Sequence, residues 1–129
     1  MSKFQAVLQQ FQKALQRFDE ILKVEYNDIV RDSAIQRFEF VFDLSWKPVG
    51  GYLEEHQGLS CSSPKGCFKE GFSQNIPTHD DFWLELSDLR NLTSHTYQEE
   101  LAEKVYKVLP EAKKRFDTLL DLIKTASKI

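Results

Sequence analysis

Glycine and proline are scarce in this sequence. Five glycines and four prolines in 129 residues are too few for an all-β domain full of tight turns. No apolar run approaches the ~20 residues that a membrane-spanning helix needs. The opening stretch, MSKFQAVLQQFQKAL, is broken by Gln and Lys and does not read as a signal peptide. There is no Gly-rich phosphate loop, no H-E-x-x-H and no G-x-S-x-G. Cysteine occurs only at Cys61 and Cys67, with no C-x-x-C pair. Two thiols carry no disulfide framework, so the expectation is a cytoplasmic chain with both reduced. His56, Cys61, Cys67 and His79 are spread too irregularly to suggest a metal site, and no metal or cofactor is expected. Charge of one sign is also missing: 17 Lys plus Arg stand against 20 Asp plus Glu, a net charge of −3. That argues against a protein held to nucleic acid by bulk charge, although a local basic site remains open.

What is present is helical periodicity. Hydrophobic residues make up 41% and charged residues 29%, the balance of a globular chain. By length it is one domain, residues 1–129. Phe4, Val7, Leu8, Phe11, Leu15, Phe18 and Leu22 recur at spacings of three and four, predicting a first helix over residues 3–23. Asn27 is a candidate N-cap for a second helix reaching His56, with a core stripe of Ala34, Ile35, Phe38, Val41, Phe42, Val49, Tyr52 and Leu53. Phe40 and Leu44 project from nearly its opposite side, which points to a second buried face. Pro48, Gly50 and Gly51 should kink or weaken this helix. Ser63-Pro64 opens a short third helix to about Gln74. Thr78 with Asp81 resembles a capping box for a fourth helix, whose Phe82, Leu86 and Leu89 face inward beside Trp83. Thr96 and Glu99 have the same spacing ahead of the last helix. Its stripe is Leu101, Val105, Val108, Leu109, Ala112, Phe116, Leu119, Leu120 and Ile123, with a kink or break expected at Pro110. The sum is an all-α, up-and-down bundle of four main helices plus a short one.

Three sets of residues stand out chemically. Glu39 and Asp43 lie one turn apart, with Lys47 one turn later. They make either a solvated strip with an Asp43–Lys47 pair, or, with Trp46, the wall of a cleft or partner surface. Arg31 falls on the core stripe, where a charge must pair or snorkel. The most specific segment is Arg90-Asn91-Leu92-Thr93-Ser94-His95-Thr96-Tyr97. Arg offers a fixed charge and a fork suited to phosphate, and His transfers protons near neutral pH. On an ideal helix Arg90 and His95 are about 140° apart. They converge only if the helix loosens or a two-fold axis brings two copies together. The competing reading is a capped helix end with surface polar groups, in which Tyr97 packs its ring and wets its hydroxyl.

The segment RNLTSHTY resembles the R-x4-H-x-Y pattern of HEPN domains, named for nucleotide-binding domains of higher eukaryotes and prokaryotes. The stretch RDSAIQRFEFVFDLSWK is similar to the second helix of one branch, the nucleotidyltransferase substrate-binding proteins. The resemblance runs from Phe4 to about Ile123. It implies a helical homodimer; the lack of a long apolar run is what sets the expectation of no membrane association. The resemblance also implies a separate minimal nucleotidyltransferase of the MNT type as partner, often in a toxin–antitoxin pair. In HEPN toxins the motif Arg and His serve metal-independent RNA cleavage; carried over, these are Arg90 and His95. Asn91 matches the common form, and Tyr97 is the position that such a partner nucleotidylates. RNA or a nucleotide is the ligand so implied. The alternative is a non-catalytic subunit that binds nucleotide or substrate for the nucleotidyltransferase. Pro48-Val49-Gly50-Gly51 departs from the branch's good helix formers.

Overall fold

The computed structural model describes residues 2–128. Along these residues run α1 (Lys3–Leu22), α2 (Asp28–Gln57), α3 (Pro64–Ser73), α4 (Phe82–Leu92), a 3-10 turn (Thr93–His95) and α5 (Glu99–Ser127), with no strand. Side-chain contacts set the directions. Phe4 meets Tyr52 while Phe18 meets Phe38, so α1 and α2 are antiparallel. Arg31 meets Glu99 while Phe38 meets Phe116, so α2 and α5 run the same way. The α3–α4 stretch makes the return between them. The expected all-α, up-and-down class holds.

The caps show which local signals won. Asn27 accepts from the Val30 amide and Ser63 from the Gly66 amide, and Pro64 takes the first position of α3. Gly58, at φ 65°, ends α2 in the left-handed conformation that glycine adopts without penalty. The two proposed capping boxes do not form. Asp80, not Thr78, accepts from the Phe82 amide, and Thr96 donates to the Thr93 carbonyl instead of capping α5. Nor does α5 break at Pro110: it runs as one helix from Glu99 to Ser127. Pro110 is exposed, so water can satisfy the carbonyl it orphans while the opposite face stays packed. Likewise α2 runs unbroken through Pro48 and both glycines.

The core is aromatic. Phe116 of α5 lies within 6.3 Å, ring to ring, of Phe11, Phe18, Phe38 and Trp83. Trp83, Leu86 and Leu89 form the inward stripe of α4, whereas Phe82, expected inward, is half-buried beneath the Arg115 guanidinium. Leu44 is also half-buried and packs against the core, so of the expected second face of α2 only Phe40 stands out, 48% exposed.

Cys61 and Cys67 form a disulfide, with Cα atoms 5.1 Å apart. The expectation of two reduced thiols fails because α3 folds back over α2 and brings Cys67 against the loop that carries Cys61. Gly50 leaves the room: a Cβ there would sit 3.2 Å and 3.4 Å from the two sulfurs.

Arg31 is 2% exposed and fully paired. It donates to Glu99 at 2.6 Å and 3.2 Å, to Glu103 at 2.9 Å and to Asp32 at 3.0 Å. Hydrogen bonds hold both partners below the usual carboxylate range: for Glu99 from Arg31, and for Glu103 from Tyr26 first and Arg31 second. Groups with lowered folded values stabilise fully above the unfolded value of about 4.3. That contribution is lost as pH falls through the lowered values. The thermal midpoint should therefore drop on acidification from about pH 6 to about pH 3, and a Glu99→Gln/Glu103→Gln variant should lose this part of the slope. An unchanged slope in the variant would place the acid sensitivity elsewhere.

Candidate functional site

Arg90 sits in the last turn of α4 and reaches across to α2. Its Nε donates to Asp43 Oδ1 and its Nη2 to Asp43 Oδ2, both at 3.0 Å, a two-pronged pair. Its Nη1 donates to Thr93 Oγ1 at 3.0 Å and lies 3.2 Å from Glu39 Oε2. Thr93 is buried and donates in turn to the Arg90 carbonyl at 2.6 Å. The carboxylate strip on α2 is thus the counter-charge of Arg90, and the Asp43–Lys47 pair considered above is not its partner. Spacing on α2 placed the two carboxylates on one side; their cation, 47 positions away from Asp43, had no local signal.

The electrostatics follow from this packing. The Asp43 hydrogen bonds push Arg90 above its already high ordinary value, so it stays charged. Burial pushes Glu39 above the usual carboxylate range, against the opposing pull of Arg90. Glu39 is therefore easier to protonate than an exposed carboxylate.

A cleft of about 310 Å³ opens over this cluster. Asp43 and Phe42 of α2, Pro64 of α3, and Ser87, Arg90 and Asn91 of α4 line it, together with Ser94. Asn91 is exposed at its rim. His95 and Tyr97 are not in its lining. His95 is the exposed end of the 3-10 turn, and Tyr97 follows at 78% exposure. Their rings lie 6.1 Å apart, edge to face. The helix does loosen between Arg90 and His95. Two α-helical steps and three 3-10 steps nevertheless leave the two about 160° apart by ideal geometry. Within one chain they face away from each other, Arg90 toward α2 and His95 toward solvent with Tyr97.

Comparison with known proteins bears on what such a site does. The profile of the family described as nucleotidyltransferase substrate binding protein like matches residues 1–125. The chain belongs to this family. The resemblance read from RNLTSHTY and the α2 string is thereby borne out. A crystal structure from Thermus thermophilus is 34% identical, with a TM-score of 0.83 over 88% of this chain and 98% of that one. A Haemophilus influenzae structure, described as revealing the fold of a substrate binding domain of a nucleotidyltransferase, is 25% identical. Its TM-score is 0.68 over 94% of this chain and 96% of that one. Among curated proteins, the probable ribonuclease HepT of Haemophilus influenzae (strain ATCC 51907 / DSM 11121 / KW20 / Rd) is 34% identical over 86 residues. That match takes in 60% of this chain and 59% of the relative, about three fifths of each.

Proposed function

We propose that the protein is the HEPN subunit of a two-component system with a separate minimal nucleotidyltransferase, and that it cleaves RNA without a metal. The observation that carries this reading is the exposed His95–Tyr97 pair on the irregular segment next to the Arg90 cluster. His95 takes the proton from a ribose 2′-hydroxyl, whose oxygen attacks the adjacent phosphorus. Arg90, held by Asp43 and Thr93, neutralises charge on the phosphorane. The 5′-oxygen leaves with a proton from an acid, and the product carries a 2′,3′-cyclic phosphate. Because Arg90 and His95 diverge within one chain, the site is built between two: a homodimer on the Phe40 side of α2 brings one protomer's Arg90 to the other's His95, and the second His95 is the acid.

Tyr97 is the control point. The partner transfers a nucleoside monophosphate from ATP to its hydroxyl and releases pyrophosphate. The added phosphodiester places a negative charge and a bulky group beside the motif without refolding the chain. Incubation with the nucleotidyltransferase and ATP should label Tyr97 by peptide mass spectrometry, and Tyr97→Phe should abolish the label. Labelling that persists in Tyr97→Phe refutes the assignment.

A second reading has its own support. Every nitrogen of the Arg90 guanidinium already faces Asp43, Thr93 or Glu39, and His95 stands outside the cleft. Such a site suits a non-catalytic subunit that binds nucleotide or substrate for the nucleotidyltransferase. Tight complex formation with no label anywhere and no RNA cleavage in EDTA would favour it.

A further inference from the structure

The chain's only two cysteines bracket one wall of the Arg90 cleft. Pro64, which lines that cleft, lies between Cys61 and Cys67 inside the closed loop. Lys65, next in line, pairs with Asp88 of α4 at 2.8 Å. The disulfide thus closes the loop that carries Pro64 and Lys65 to α4 beside Arg90, while its own sulfurs rest on Gly50 of α2. The two sulfurs differ in access. Cys67 is fully buried, whereas Cys61 is half-buried and lines a separate, half-open groove of about 730 Å³ with Trp46, Lys47 and Gly50. The cysteines are only six positions apart, so the bond restrains this loop and not the distant core.

We infer that the Cys61–Cys67 disulfide is a redox-sensitive clasp on the Arg90 cleft, opened by a dithiol that attacks Cys61 from the Trp46 groove. A thiolate of the dithiol bonds to Cys61 Sγ and expels Cys67 as a thiolate. The dithiol's second thiol then displaces Cys61 and closes the reductant's own disulfide. Two electrons pass to the protein, and the two protons of the dithiol end on Cys61 and Cys67. Besides the disulfide, the exposed Lys65–Asp88 pair ties the loop's end to α4, and the Phe68 ring stacked on Trp83 at 4.8 Å holds the rest of α3 there. The Leu59 amide donates to the Leu53 carbonyl, and Ser63 caps α3. Once freed, Pro64 and Lys65 move away from α4 and the cleft widens to admit a larger phosphate ligand. This function of the clasp rests on the reading of Arg90 as a phosphate site; the opening itself does not.

The test is hydrogen exchange by mass spectrometry on the oxidised protein, on protein treated with dithiothreitol, and on a Cys61→Ser/Cys67→Ser variant. Reduction should speed exchange at least about tenfold in residues 59–66 and 87–94 and leave α1 and α5 unchanged. The variant should match the reduced protein with or without dithiothreitol. Unchanged exchange in residues 87–94 overturns the inference. So does a disulfide that dithiothreitol cannot reduce without denaturant, or a loss of helical circular dichroism on reduction, which would make the bond a structural staple. Failure of RNA cleavage in every redox state overturns the ribonuclease reading alone and leaves the exchange result standing.

Discussion

Alanine at His95 should lower RNA cleavage measured in EDTA by at least about a hundredfold, the low end for a general acid–base group. His95 is exposed and its ring neighbours the exposed Tyr97, so its removal should leave the thermal midpoint unchanged. Arg90→Lys should also lose activity although it keeps the charge. A lysine cannot reproduce the two-pronged bond to Asp43, and its single ammonium would leave Thr93 or Glu39 unmet. Phe40→Glu belongs to the same experiment. It should give monomers by light scattering and lose cleavage with the dimer, because the acid then has no source. Full cleavage by His95→Ala, or cleavage only with Mg²⁺, would end the mechanism.

Phe116→Ala should cost about 3–5 kcal/mol of folding stability, the range for emptying a large buried aromatic site. Phe116 is fully buried and central, bridging rings from α1, α2 and α4. The surrounding rings belong to different helices, so no single side chain can move in to fill the space. Against a total stability of about 5–15 kcal/mol, the loss should lower the thermal midpoint by roughly 10–20 °C. Phe116→Leu should lose much less, since it keeps most of the volume. A loss below about 1 kcal/mol for the alanine variant would show that the core collapses around the gap.

The helices and their buried faces were legible because the period of apolar residues is a local signal. Phe38, Val41 and Phe42, or Val105, Leu109 and Ala112, announce which side is packed whatever they pack on. Arg31 was legible as a buried, paired charge for the same reason, though Glu99 and Glu103 could not be named from their distance in sequence. Caps were harder. Thr78 and Thr96 have the right chemistry and spacing, but Asp80 takes the Phe82 amide, and the Thr96 hydroxyl is taken up by the Thr93 carbonyl. The counter-charge of Arg90 and the bonding of Cys61 to Cys67 both depend on where α3 and α4 fold back, which no periodicity encodes.

The shared direction of α2 and α5 has a consequence for the order of events in folding. The hairpin of α1 and α2 closes across a short turn, whereas Arg31 must wait for Glu99, 68 positions on. The hairpin should form first and α5 dock last, so Phe116→Ala should speed unfolding more than it slows folding. Residues 93–98 join α4 to α5 and take their final shape only with that docking. On the ribosome, where the N-terminal part of a chain folds first, Arg90 can therefore meet Asp43 before His95 and Tyr97 are set in place, which waits until α5 has been made.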